Sequence, residues 1–166
     1  MRMFVSLGSN VEPRSNLRRA LAELRRRFTV TAVSPAYLTT PVGDRDQPHF
    51  WNLAVELDCN EPPHKVHAVL RYIEALLGRR RDPDRPFGPR TVDLDLVLVE
   101  GLSGSFGSLD LPSPLVAKEP FVAVPLADLA PEVVHPVLQV SVGVLARSLL
   151  AATSHPPHPL DEELET

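Results

Sequence analysis

Two carboxylates stand two residues apart in the apolar stretch of residues 91–99, as Asp93 and Asp95. On a β-strand such residues project from the same face, about 7 Å apart. Neighbouring carboxylates repel each other unless protons or cations hold them together, and Mg²⁺ binds through one or two carboxylates together with phosphate oxygens of a substrate. The pair therefore indicates a divalent-cation site, the alternative being that D-x-D only marks a strand with one face in solvent. The other face is predicted to carry Val92, Leu94, Leu96 and Leu98.

Residues 79–90, which come immediately before this strand, contain five arginines, two aspartates and three prolines. Such a segment cannot bury itself, so a solvated loop is predicted. Arginine binds phosphate through two parallel hydrogen bonds and stays charged. Arginines beside paired carboxylates therefore indicate phosphoryl transfer, although each arginine taken alone could belong to a merely solvated loop. The transfer would not use a Walker loop, because the chain has no G-x-x-x-x-G-K-[ST] motif.

A third set of groups lies in the Pro/Gly/Asp-rich residues 39–48 and in Phe50, Trp51 and Asn52, which follow them. The loop is long for a simple connection between strands, and long ordered loops are often functional. Aromatic rings can stack on a flat heterocycle, and an amide side chain can both donate to it and accept from it. The segment is a candidate heterocycle-binding element, although Phe50 and Trp51 could equally be core residues.

Composition and charge narrow the classes of protein. The chain has 166 residues, of which 43% are hydrophobic and 23% charged, as in an ordinary globular domain. A net charge of -4 argues against broad electrostatic binding to nucleic acid. The lone Cys59 excludes an intramolecular disulfide, and no apolar run approaches the ~18 residues that span a bilayer. Because the N-terminus also lacks a signal-peptide core, we expect a cytoplasmic protein with no nucleic-acid or membrane partner.

Strand and helix patterns interleave without a regular parallel βαβ rhythm, which predicts an α+β sandwich in one domain, residues 1–152. The first helix is expected to be capped by Ser15 or Asn16, and residues 153–166 are expected to form a flexible tail. Strands are predicted at residues 3–7, 30–37, 50–57 and 91–99. Helices are predicted at residues 17–28, 62–78, 115–129 and 142–150, with a Gly/Ser-rich connection at residues 101–110.

Four segments together resemble the 6-hydroxymethyl-7,8-dihydropterin pyrophosphokinase family of folate biosynthesis. They read FVSLGSN at residues 4–10, TTPVGDRDQPHFWN at 39–52, FGPRTVDLDL at 87–96 and FVAVPLADLAP at 121–131. The match runs in order over about residues 3–136. It implies a ferredoxin-like α+β fold, a monomer, and transfer of pyrophosphate from Mg-ATP to the pterin hydroxymethyl group with release of AMP.

The resemblance also implies roles for particular residues. Asp93 and Asp95 would hold two Mg²⁺ ions, and Phe87 would lie on a closing loop. Catalytic phosphate contacts would come from Arg79, Arg81 and Arg90. The pterin would be held by Thr39, Thr40, Val42, Phe50, Asn52 and Phe121. The nucleotide would be contacted by Glu74, Arg90 and Leu96.

Two positions depart from the family's pattern. Ser113 stands where the family commonly has His, and Glu119 stands where it has Arg. Both usual residues would contact nucleotide phosphates, so the changes predict weaker triphosphate binding, which Lys118 could offset in part. A degenerate member that binds pterin with little or no transfer is therefore an alternative. From another class, a nucleic-acid-binding α+β module using the Arg-rich loop is a further alternative, which the net charge disfavours.

Overall fold

The computed structural model describes residues 1–44, 46–78, 84–85, 88, 91–161 and 164. Its main sheet contains β1 (Arg2–Ser9), β2 (Thr29–Val33), β3 (Tyr37–Thr39), β4 (Phe50–Asp58), β5 (Asp93–Val99) and β8 (His158–Pro159). A hairpin is formed by β6 (Gly104–Phe106) and β7 (Leu109–Leu111). The helices are α1 (Pro13–Arg27), α2 (Pro63–Leu76), α3 (Pro120–Leu129) and α4 (Val142–Ala152), with a 3-10 helix at Pro114–Ala117.

The main sheet is antiparallel and has the order β5-β1-β4-β3-β8, with β2 also paired to β4. Read along the chain, β1, α1, β2 with β3, β4, α2 and β5 give the βαββαβ arrangement of a ferredoxin-like fold. The α+β class predicted from the sequence is therefore confirmed, and β2 and β3 both pair antiparallel with β4.

Side chains alternate along the central strand β1 and divide the core into two layers. Met3, Val5 and Leu7 pack with α1 and α2 on one face, whereas Phe4 packs with α3 and α4 on the other. Because both faces of β1 are covered, the strand is apolar along most of its length. The face toward α3 also carries the small or polar residues Ser6 and Gly8, so it is here that a cavity can open.

The predicted alternation along β5 holds only as far as Leu96. A register shift between Phe4 and Val5 places Phe4 opposite Leu98 and Val5 opposite Leu96, which leaves Val97 as an extra residue. One extra residue inverts the facing of those that follow. Leu98 therefore packs with Phe4 in the layer beneath α3, and the prediction that it shares a face with Leu94 is wrong.

Several predicted boundaries also differ from the structure. Helix α1 begins at Pro13 after Glu12, so neither Ser15 nor Asn16 caps it; a proline is well suited to the first turn of a helix because its missing N–H has no partner there. The strand predicted at residues 30–37 is two strands, the connection at 101–110 contains most of the β6–β7 hairpin, and helix α3 begins only at Pro120.

The segment predicted to be a flexible tail, residues 153–166, contacts the sheet and the core in the part that the structure describes. His158 pairs with Leu38, and the Leu160 N–H donates to the Ala36 carbonyl at 2.9 Å. Leu164 is 5% exposed and belongs to the core layer beneath α1 and α2. The physical reason is the outer edge of β3, whose backbone groups need partners, and composition alone does not reveal such a partner.

Candidate active site

A cavity of about 770 Å³ opens on the face of the sheet that is covered by α3. Its floor is set by the strand register: Gly8 of β1 lies between Asn52 of β4 and Asp93 of β5, and Ser6 lies opposite Asp95. Directly opposed residues in antiparallel strands point to the same face. The cavity is lined by Ser6, Gly8, Thr39, Thr40, Val42, Phe50, Asn52, His67, Arg71, Asp93, Asp95, Ser108, Leu115, Glu119, Phe121 and Val122.

Both aspartates of the D-x-D pair lie in this cavity and are half-buried. The part of the chain that the structure describes contains no cluster of three or more His, Cys, Asp or Glu residues suited to a metal ion. Two carboxylates without a third side-chain ligand fit Mg²⁺, which keeps several waters and takes its other ligands from substrate phosphates. They do not form a closed, all-protein metal cage.

Arg71 of α2 reaches the cavity and contacts the carboxylate of Asp95. Its Nη2 donates to Asp95 Oδ1 at 2.7 Å and to the Leu94 carbonyl at 2.9 Å, while Nη1 donates to Glu74 Oε1 at 2.5 Å. Burial alone would lower the pKa of Arg71, but Glu74 and Asp95 outweigh burial and raise it. The guanidinium therefore stays charged, and sequence reasoning missed it because no motif marks it.

His67 lies one helical turn before Arg71 and also lines the cavity. Burial lowers the pKa of His67, the charge of Arg71 lowers it further, and Asp95 opposes both. The imidazole is thus mostly neutral at pH 7, because its ordinary pKa of about 6.5 is already lower. Its buried Nδ1 has no hydrogen-bond partner among the described residues.

All six residues that the resemblance assigns to the pterin line the same cavity. Asn52 is 5% exposed, and its Nδ2 donates to Thr39 Oγ1 at 2.5 Å. That bond fixes the amide so that Nδ2 faces Thr39 and Oδ1 faces Gly8. Phe50 belongs to the sheet and Phe121 to α3, and both line the cavity; aromatic rings can stack on a flat heterocycle. The six residues are Thr39, Thr40, Val42, Phe50, Asn52 and Phe121.

Gly8 is required where it stands because the Asn52 side chain lies directly over it. A Cβ at this position would lie 2.6 Å from Asn52 Oδ1, which is closer than a carbon and an oxygen can approach. Because the resemblance implies that this cavity holds a pterin, we expect Gly8→Ala to displace the amide and to lower kcat/KM for that pterin roughly 10-fold, the equivalent of about 1.4 kcal/mol, with the KM for ATP unchanged.

Steady-state kinetics with each substrate varied in turn measures this effect. Gly107→Ala is the matched control, since Gly107 lies in the hairpin turn with nothing within 4 Å of an added Cβ; its positive φ makes some loss of stability expected there, but no change in pterin kinetics. Equal kinetics for Gly8→Ala and the wild type would contradict the prediction.

The loop between β3 and β4 is tied down at its far end. Asn10 Nδ2 donates to Gln47 Oε1 at 2.8 Å and to the Pro48 carbonyl at 2.9 Å. Arg85, from the Arg-rich segment, donates to Asp44 Oδ2 at 2.6 Å and holds the pKa of that carboxyl below its usual range. The loop predicted to bind a heterocycle is therefore linked both to the end of β1 and to the segment predicted to bind phosphate.

Some residues singled out from the sequence lie elsewhere. Arg79, Arg81, Arg90 and Phe87 fall outside the described residues. Glu74 and Leu96 are 3% and 1% exposed and do not line the cavity. In the structure Glu74 holds Arg71 and accepts from the Leu94 N–H at 2.9 Å, and Leu96 fills the core; the nucleotide contact expected of these two residues stays a prediction.

The two departures from the family's pattern have different consequences. Ser113 does not line the cavity; its Oγ accepts from the Leu115 N–H at 3.2 Å and caps the 3-10 helix. Glu119 does line the cavity, just before α3, and places a carboxylate there. Lys118 is exposed and is not a lining residue, so the structure gives no support to its compensating for Glu119.

A smaller cavity of about 140 Å³ adjoins the first and shares Thr39, Thr40, Val42, Glu119 and Phe121 with it. Its remaining wall includes Thr153, His155 and Pro157, from the segment that was predicted to be a tail. The β3–β4 loop thus has the main cavity on one side and the C-terminal segment on the other.

Across the described residues, no helix is both long and apolar enough to cross a membrane.

Comparisons with known proteins agree on one family. Residues 4–131 match the model of 7,8-dihydro-6-hydroxymethylpterin-pyrophosphokinase (HPPK). Proteins named 2-amino-4-hydroxy-6-hydroxymethyldihydropteridine pyrophosphokinase are 39% identical over 136 residues in Methylorubrum extorquens and 40% identical over 134 residues in Pseudomonas aeruginosa. The alignments cover 80% of this chain and 85% of the first relative, and 79% and 82% for the second.

The fold also matches solved structures of Plasmodium falciparum HPPK-DHPS. The A437G form with STZ-DHP superimposes with a TM-score of 0.71 at 13% identity, over 90% of this chain and 45% of that one. The wild type with SDX-DHP gives a TM-score of 0.66 at 14% identity, and this chain covers 44% of it. At that identity the likeness establishes the fold alone, and the chain spans less than half of the P. falciparum protein.

Proposed function

Since the chain belongs to the 7,8-dihydro-6-hydroxymethylpterin-pyrophosphokinase family, an ATP-dependent transferase of folate biosynthesis, we propose that the 770 Å³ cavity is where it transfers pyrophosphate from ATP to hydroxymethyldihydropterin. One observation carries the assignment of the site. Six pterin-site residues from three separate segments and the two aspartates of β5 line a single cavity. Residues 1–152 are proposed to be the catalytic domain, with the C-terminal segment against one wall.

The pterin half of the site is built for a flat, polar ring. Phe50 and Phe121 stack on the two faces of the ring, and the Asn52 amide forms hydrogen bonds with its edge. Thr39, Thr40 and Val42 close the side of the site, with backbone groups available to a heterocycle. Because Thr39 holds Asn52 in one orientation before the substrate arrives, little rotamer entropy is lost on binding.

The phosphate half lies across the sheet from Asn52, on the far side of β1, at Asp93 and Asp95 of β5. We propose that these carboxylates hold two Mg²⁺ ions, which when bound neutralise charge that develops on the transferred phosphates. Arg79, Arg81 and Arg90 are proposed to contact the same phosphates. Through their charge and forked geometry they orient the triphosphate and help to exclude water.

The transfer itself forms one bond and breaks one. The hydroxymethyl oxygen of the pterin attacks the β-phosphorus of ATP as the bond from that phosphorus to the α,β-bridging oxygen breaks. AMP leaves with the bridging oxygen, and the hydroxyl proton passes to solvent. The protein's contribution is to place the pterin oxygen in line with the β-phosphorus, since alignment of the reacting atoms supplies much of the rate.

Product analysis tests this proposal directly. Purified protein is incubated with Mg-ATP and 6-hydroxymethyl-7,8-dihydropterin, and AMP is scored against ADP. AMP that depends on both the pterin and Mg²⁺ supports the proposal and shows that Ser113 and Glu119 are tolerated. Pterin binding measured by calorimetry without any AMP would instead support the degenerate member, a site whose nucleotide half has been lost.

Glu119 gives a second test, because it places a carboxylate where a triphosphate should bind. We expect Glu119→Arg to lower the KM for ATP roughly 10-fold, since a charged hydrogen bond contributes roughly 1.5–3 kcal/mol and a solvent-facing position realises only part of it. The KM for pterin should change less. Isothermal titration with a non-hydrolysable ATP analogue measures the change.

Two variants separate the contributions at this position. Glu119→Gln removes only the negative charge and should give part of the effect. Glu61→Arg makes the same reversal of charge on an exposed residue that does not line the cavity, and it should leave the ATP affinity unaltered. The prediction is wrong if Glu119→Arg binds the analogue no more tightly than the wild type.

We further propose that the protein acts as a cytoplasmic monomer without a nucleic-acid partner. The net charge of -4 supports the last point, because a polyanion would be repelled at long range. Sedimentation at micromolar concentration tests the monomer. A salt-dependent shift with single-stranded RNA would contradict the absence of a nucleic-acid partner.

A further inference from the structure

Arg71 and Glu74 of α2 form a hydrogen-bond network with strand β5. Arg71 donates to Asp95 Oδ1, to the Leu94 carbonyl and to Glu74 Oε1, and Glu74 Oε2 accepts from the Leu94 N–H. Each distance lies between 2.5 and 2.9 Å. Glu74 is buried and Arg71 half-buried, so water competes weakly for these bonds.

The network supplies hydrogen-bond partners to a strand edge that no other strand pairs with in the described structure. Strand β5 is the outer strand of the sheet, so the backbone groups on its free side have no neighbouring strand to bond. At Leu94, which lies between the two aspartates, α2 supplies the missing donor and the missing acceptor from one pair of side chains. The backbone that carries Asp95 is therefore held by the same groups that hold its side chain.

We infer that Arg71 is a positioning residue for the metal site: it occupies Oδ1 of Asp95 and thereby orients Oδ2 toward the cavity for a divalent cation. The inference rests on the proposed role of Asp95 in binding Mg²⁺. Mg²⁺ demands near-ideal octahedral geometry. A carboxylate fixed by a second bond presents its free oxygen in one direction, and loss of such a supporting partner commonly costs 10–100-fold in metal affinity.

The charge of Arg71 raises the opposite expectation, that it repels a cation. Glu74 resolves this, because its carboxylate lies against the guanidinium and the pair has no net charge. The cation then meets an oriented carboxylate without a large added positive field. If Arg71 positions Asp95, replacing it weakens cation binding; if Arg71 repels the cation, replacing it strengthens cation binding. A binding measurement therefore decides between them.

The experiment measures Mn²⁺ binding to the full chain in the presence of a non-hydrolysable ATP analogue, by electron paramagnetic resonance of the free ion. We expect Arg71→Gln to weaken Mn²⁺ binding 10–100-fold. Arg71→Lys should weaken it less, because lysine keeps the charge. It should still weaken it, because lysine cannot bond three acceptors in a fixed plane. Pterin affinity, followed by fluorescence, should not move. Arg147→Gln, an exposed arginine on α4, should match the wild type.

Removing Arg71 alone leaves the buried Glu74 without this partner and could prevent folding. The double variant Arg71→Gln with Glu74→Gln removes both charges together, and the same loss of Mn²⁺ affinity is expected from it. Tighter Mn²⁺ binding in either variant would mean that Arg71 competes with the metal, and unchanged binding would mean that it only braces the strand; both results overturn the inference.

Asp95→Asn separates this inference from the proposed function on which it rests. If Asp95→Asn binds Mn²⁺ as the wild type does, the assignment of Asp95 as a ligand fails. If Asp95→Asn loses Mn²⁺ affinity while the Arg71 variants keep it, only the positioning role fails. Weakened Mn²⁺ binding in Asp95→Asn and in the Arg71 variants supports both the assignment of Asp95 as a ligand and the positioning role of Arg71.

Discussion

Replacing Asp95 by asparagine is expected to lower AMP formation by about 10²–10³-fold, the loss seen when a group that stabilises transition-state charge is removed. The amide has nearly the shape of the carboxylate but no negative charge for a cation. It also loses the ion pair with Arg71. The change is measured as the initial rate of AMP release at saturating pterin and Mg-ATP.

The fold should survive this substitution, because Asp95 is half-buried and projects into the cavity and not into the core. Thermal unfolding monitored by circular dichroism checks this. Asp110→Asn, on the exposed face of the β6–β7 hairpin, removes a carboxylate outside the site and should keep full activity. A wild-type rate in Asp95→Asn would falsify the assignment of the phosphate half of the site.

Replacing Asn52 by leucine is expected to give the second large effect, a 10–100-fold loss in kcat/KM for the pterin with an unchanged KM for ATP. Leucine keeps the volume but cannot donate or accept. The polar edge of the pterin and Thr39 Oγ1 both lose a partner, and an unsatisfied buried polar group costs roughly 1–3 kcal/mol. Steady-state kinetics with varied pterin gives the loss directly.

Asn60→Leu is the matched control, because Asn60 is exposed and its Oδ1 accepts only from the N-terminal ammonium in the described structure. It should leave both KM values unaltered. An equal rise in both KM values in Asn52→Leu would point to general damage to the fold, and no rise for the pterin would remove Asn52 from the substrate site.

Several residues that line the cavity were singled out from the sequence, but their arrangement could not be predicted. Asp93 and Asp95 share a face because alternation along a strand is a local property. That Gly8 lies between Asn52 and Asp93 depends on the register of three strands that are far apart in the chain. Register follows from packing of the whole sheet on its helices, which no single segment encodes.

Arg71 and His67 line the cavity but could not be recognised as cavity residues from the sequence. Both lie on the helix predicted at residues 62–78, and in the sequence their polar side chains look like any exposed positions on it. Only the docking of α2 beside the outer strand β5 brings Arg71 to Asp95. The one available signal was Arg71 three residues before Glu74, an ordinary i,i+3 pair on a helix surface.

Two features that local patterns do not reveal share a cause. Leu98 changes face because Val97 is an extra residue opposite β1, and residues 158–160 join the sheet because the edge of β3 is open to them. Both are contacts between segments distant in the chain, and local composition carries no record of them.

The α+β class and, through four ordered motifs, the family follow from the sequence, because both depend on residue types and local spacing. Packing of distant segments places Arg71 of α2 against Asp95, turns Glu119 and not Ser113 to the cavity, and brings the C-terminal segment beside the β3–β4 loop. The physical reason is that side chains act at distances of a few ångströms, and only the packed fold determines which distant residues come that close.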